Sequence, residues 1–68
     1  MNCKLYKWNG KYIQGDLIGQ HKTVSLALKR AKKEIDFKFS VKEKNKNETI
    51  IWLDDENHSP VGIIVCKK

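Results

Sequence analysis

Side chains able to make or break bonds are few and scattered in this chain of 68 residues. The thiols Cys3 and Cys66 lie far in sequence from the histidines His21 and His58, and neither Ser25 nor Ser40 sits in a nucleophile elbow, so nucleophilic catalysis has no support. No glycine-rich phosphate cradle is present. Two cysteines and two histidines so dispersed do not make a zinc site. The one local reversal of charge, Asp54, Asp55 and Glu56 with His58, lacks the ligand spacing of a calcium loop and reads as turn chemistry. The expectation is a protein that is not an enzyme and needs no metal or cofactor.

What remains is positive charge. The net charge is +6, and thirteen lysines stand against the single Arg30. A basic excess of this kind is the footprint of a protein that meets nucleic acid, an acidic protein or an anionic surface. The bias to lysine points to contact with little sequence specificity, because lysine acts as a point charge where arginine forks onto phosphates and guanine edges. Lys22 stands just before one stripe of a helical pattern, and Leu26, Lys29, Arg30 and Lys33 fall along it; Lys38, Lys42, Lys44 and Lys46 crowd the segment after it. Together they are the candidate binding residues, for nucleic acid or for an acidic partner. The competing reading is a solvated face with one stray leucine. Tyr6, Trp8 and Tyr12 interleave with Lys4, Lys7 and Lys11, which suits either base stacking with phosphate contacts or plain core packing.

The elements that must position these residues are organised around Thr23 to Ile35. Val24, Ala27, Leu28, Ala31 and Ile35 recur at helical spacing, Thr23 is a good N-cap, and the cations of the second half suit the carbonyl end of the dipole. Before the helix, Cys3 to Trp8 and Lys11 to Ile18 flank Asn9-Gly10, the pattern of a two-residue hairpin with Tyr6 opposite Ile13 and Leu5 opposite Gln14; Gly19 to Lys22 reads as a loop. After it, Phe37, Phe39 and Val41 alternate with Lys38, Ser40 and Lys42, a strand with a dry face and a basic face. Glu48 to Leu53 and Val61 to Cys66 are two further strands, separated by a loop that ends at Pro60. The order β-β-α-β-β-β gives a single α+β domain over residues 1–68: one antiparallel sheet of about five strands packed against one helix.

A lone helix covers one face of such a sheet, whereas Ile50 and Trp52 alternate with Ile51 and Leu53, so apolar side chains point to both faces. The second face is expected to be buried by a homodimer built on Ile50, Trp52 and Ile64; the competing account has Tyr6, Trp8 and Ile13 folding across it in a monomer. The cysteines read as reduced thiols, unless the first and last strands are neighbours and a bridge joins them. No apolar run reaches the roughly 20 residues that span a bilayer, and the N-terminus lacks an apolar leader, so a cytoplasmic protein with no membrane contact is expected.

The hairpin followed by Thr23, Ala27 and Ala31 at four-residue spacing resembles the opening of several small families. These are the antitoxins with a hairpin-helix half-fold, and the DNA-binding modules of plant transcription factors and phage integrases, which lay a sheet into a groove. The resemblance implies a nucleic-acid or regulatory role and carries over no binding residue. The function expected is a small basic nucleic-acid-binding module; the alternative is an interaction or inhibitor protein, encoded by a virus or mobile element, that occludes an acidic partner.

Overall fold

A computed structural model describes residues 2–11 and 14–67. The elements are β1 (Asn2–Lys7), β2 (Asp16–His21), α1 (Val24–Glu34), β3 (Phe39–Lys44), β4 (Glu48–Asp54) and β5 (Pro60–Lys67). The strands form one antiparallel sheet in the order β2-β1-β5-β4-β3, with the helix on one face, so the α+β class is as expected. β5 occupies the centre. That position accounts for its composition, because a strand with neighbours on both edges, covered on both faces, has few places for a polar side chain.

Thr23 begins the helix as its composition suggests. Its Oγ1 accepts from the Leu26 N–H at 3.2 Å, and its carbonyl accepts from Ala27 N. No acidic residue lies in the first turn, so this cap is the main local answer to the orphan N–H groups there. Thr23→Ala is therefore expected to cost about 1 kcal/mol, read as a lowered urea midpoint with unchanged m; an unchanged midpoint would show that the cap contributes nothing. At the other end Ile35 leaves the helix in an extended conformation, its N–H still bonded to the Ala31 carbonyl at 2.8 Å.

The helix lies over β2, β1 and β5. Ala27 and Ala31 face the sheet, and their small side chains let the helix approach closely enough to bury Cys3, Leu5, Ile51, Leu53, Ile64 and Cys66 with Ile35. Fully burying a side chain such as Leu5 or Leu53 stabilises the fold by about 1.5–3 kcal/mol. Cys3 and Cys66, opposite one another in the β1–β5 register, are bonded as a disulfide. The reading as reduced thiols is thereby corrected, since the two strands are neighbours.

Two other expectations change. The expected two-residue hairpin register is not formed: Tyr6 pairs with Leu17 and Leu5 with Gly19, and Gly19 to His21 belong to β2, while the expected partner of Tyr6, Ile13, lies outside the described residues. Chain pairing and local packing override the Asn9-Gly10 signal. β1 continues beside β5 as far as Trp8, whose N–H donates to the Val61 carbonyl, Asn9 Oδ1 accepts from Lys11 N, and Gly15 packs so closely that a Cβ there would lie 2.7 Å from the Lys7 carbonyl. In β3, the apolar side carrying Phe39 and Val41 is not dry; only Phe37, just before the strand, packs against the core. β3 lies at the sheet edge, and Phe39 and Val41 point to the face away from the helix, where no helix covers them.

Candidate binding surfaces

Three surfaces carry the residues singled out by sequence. On the outer side of the helix, Leu26, Lys29, Arg30 and Lys33 line a shallow hollow of about 160 Å³, closed on one side by His21 from the end of β2. Lys22 is exposed next to His21, at the turn into the helix. The Arg30 Nε–H donates to Glu34 Oε1 at 3.1 Å across one turn, an exposed pair worth about 0.3–0.5 kcal/mol. This pair tethers Arg30 loosely. His21, at the end of β2 and not in the loop expected there, contributes a buried Nε2 with no hydrogen-bond partner among the described residues. Gly19 makes room for its ring, since a Cβ there would stand 3.2 Å from that nitrogen.

The second basic set is separate. Lys42 and Lys44 pair with Ile51 and Thr49, which puts them on the helix side of the sheet, on the edge strand that the helix does not cover. Lys38 precedes β3 and Lys46 follows it, and all four are exposed. The two lysine sets thus lie toward opposite ends of the strand order.

The face away from the helix carries a cross-strand row that runs the full width of the sheet, Leu17, Tyr6, Ile63, Trp52 and Val41. A second row beside it holds Lys4, Val65, Ile50 and Glu43. Ile64 is not part of this face. The register sets it opposite Leu5 and Ile51, fully buried beneath the helix, so the self-association set of Ile50, Trp52 and Ile64 is corrected: Ile63 and Val65 share the face of Ile50 and Trp52. The centre of that face is also covered within the chain, for Ile63 is 4% and Val65 9% exposed. Gln14, from the β1–β2 connection, lines the same open hollow as Ile50, Trp52 and Val65. Apolar exposure is instead concentrated at the sheet edges, where Leu17 is 56%, Val41 48% and Phe39 42% exposed.

Of the stacking set, Tyr6 lines a small hollow with Lys4 and Lys67. Tyr6 and Lys4 share the face away from the helix, Lys7 projects to the other side, and Trp8 is half-buried where β1 meets Val61. Tyr12, like Ile13, lies outside the described residues. The acidic loop is occupied by its own turn: Asp55 Oδ1 accepts from Asn57 N at 2.8 Å and from Ser59 N at 3.0 Å, while His58 takes a positive φ of 63° and stacks on Phe39 with ring centroids 4.3 Å apart.

No family model, curated protein or solved structure matches the chain. The functional reading therefore rests on these surfaces. Among the described residues, no helix is long and apolar enough to cross a membrane.

Proposed function

We propose that the chain is a small non-enzymatic binding module that engages nucleic acid through the outer side of its helix. The observation that carries this reading is the hollow where Lys29, Arg30 and Lys33 meet around Leu26 and His21, with Glu34 as the acid paired to Arg30, in a chain of net charge +6. Lysine contacts to phosphate release counterions, which makes affinity steeply dependent on salt and nearly indifferent to sequence. Three or four such contacts give a slope of log affinity against log salt of about −3 on duplex DNA. Fluorescence anisotropy on a mixed panel of DNA and RNA oligonucleotides measures that slope. The double substitution Lys29→Glu, Lys33→Glu, at exposed positions, is expected to flatten it by about 2 and to weaken binding at least about tenfold at low salt; a salt-independent response in the unmodified protein refutes the proposal.

A second reading, an interaction protein for an acidic partner, is supported by a different observation: exposed Phe39 and Val41 share β3 with Lys42 and Lys44 of the second lysine set. In either reading the protein works where the Cys3–Cys66 bond persists, which favours an oxidising compartment over the reducing cytoplasm expected from composition.

A further inference from the structure

We propose that the free edge of β3 accepts an extended, acidic segment of a partner protein as a sixth strand of the sheet. β3 is a terminal strand, so among the described residues the backbone N–H and C=O groups along its outer edge have no strand to pair with. All six of its residues are exposed. A strand added there gains main-chain hydrogen bonds for affinity and alternate side-chain contacts for selectivity. β3 offers both. Phe39 and Val41 present exposed apolar side chains on one side, while Ser40, Lys42 and Lys44 project to the other. His58 stacks on the Phe39 ring, which orients it while leaving it 42% exposed, so less ordering remains for a partner to impose.

The other edge is a poorer acceptor. The register of β2 slips between its pairings to Leu5 and Tyr6, and a bulge of this kind twists an edge away from further pairing. β3 pairs with β4 without a slip.

Charge selects the occupant. Antiparallel pairing of two copies through β3, with the apolar sides kept together, sets Lys42 opposite Lys42 of the other copy, or Lys44 opposite Lys38, and like charges directly opposite are destabilising. The same lysines attract a strand whose residues alternate between acidic, toward Lys42 and Lys44, and apolar, toward Phe39 and Val41. Unpaired backbone groups and apolar exposure favour such a strand over nucleic acid, which would meet the lysines alone.

The test uses the full oxidised chain and a blocked heptapeptide alternating glutamate and valine. Amide exchange resolved by NMR is expected to slow at least about tenfold along residues 39–44 at saturating peptide. A peptide of the same charge with proline at alternate positions is expected not to bind. The pair Lys42→Glu, Lys44→Glu is expected to weaken binding at least tenfold, whereas Lys29→Glu, Lys33→Glu leaves it unchanged, which separates this surface from the helix surface. The proposal is overturned by any of four results: no protection at millimolar peptide, protection confined to β2 or the helix, equal binding of the proline peptide, or equal protection of β3 by oligothymidylate. It is equally overturned if the free protein already protects β3 in a concentration-dependent manner, since the occupant would then be a second copy.

Discussion

Reduction of the Cys3–Cys66 bond is expected to lower the stability of the protein by about 4 kcal/mol, the loop-entropy value for a closure of this length. The bonded residues are separated by 63 positions, so in the unfolded chain the link removes the freedom of nearly the whole sequence. A domain this small buries only about 60% of the surface its extended chain exposes, and its total stability is expected at or below the low end of the usual range of about 5–15 kcal/mol. The bridge is then a large fraction of the whole. Urea denaturation with and without a phosphine reductant measures the difference, and a Cys3→Ala, Cys66→Ala variant controls for the reagent: it should show much of the same loss and no response to reductant. Reduced and oxidised chains with coincident midpoints would mean that helix and sheet suffice alone.

Gly62→Ala is expected to destabilise the fold by about 1–3 kcal/mol through overpacking. Gly62 faces the helix side of β5, and a Cβ built on it stands 2.7 Å from Ile35 Cδ1, 3.0 Å from the Tyr6 carbonyl oxygen and 3.4 Å from Leu53 Cδ1. The nearest clash is with one methyl group. Ile35→Val deletes that methyl, at a cost by itself of about 0.5–1.5 kcal/mol, and it makes room for the alanine. The double variant is therefore expected to be more stable than the sum of the single losses predicts, by about 0.5 kcal/mol or more. Strict additivity in a double-mutant cycle would place the damage at the Tyr6 backbone instead.

The helix was legible because cap, period and charge distribution all agree over Thr23 to Ile35, and agreement across such levels marks a locally consistent segment. Strand content was legible too, but the phase of strands was not. Ile63, Ile64 and Val65 are all apolar, so β5 offers no alternation from which to decide that Ile64 alone of the three faces the helix; only the pairing with Leu5 and Ile51 decides it. In β3 the alternation is clean, yet it reports a difference between two sides and says nothing of whether anything covers the apolar one. The Asn9-Gly10 turn signal was local, and the pairing of β1 with a strand more than fifty residues away outweighed it. That same non-local pairing made the disulfide invisible, since adjacency of Cys3 and Cys66 is a property of the sheet order. Of the candidate binding residues, the helix stripe followed from periodicity. His21 did not, because nothing in its neighbourhood marked it as the end of a strand.

The central place of β5 also constrains how the protein can be made. Among the described residues β5 alone joins, through backbone pairing, β1 and β2, which the helix follows, to the β3–β4 hairpin, and it comes after all of them in chain order. During synthesis the two halves must wait, each with an open strand edge, until residues 60–67 have emerged and can slide between them. Contacts at this sequence separation make folding slow relative to helical proteins of the same size. The nascent chain is thus most exposed to misassociation just before β5 arrives, and the bond between Cys3 and Cys66 can form in its native setting only once that strand is seated.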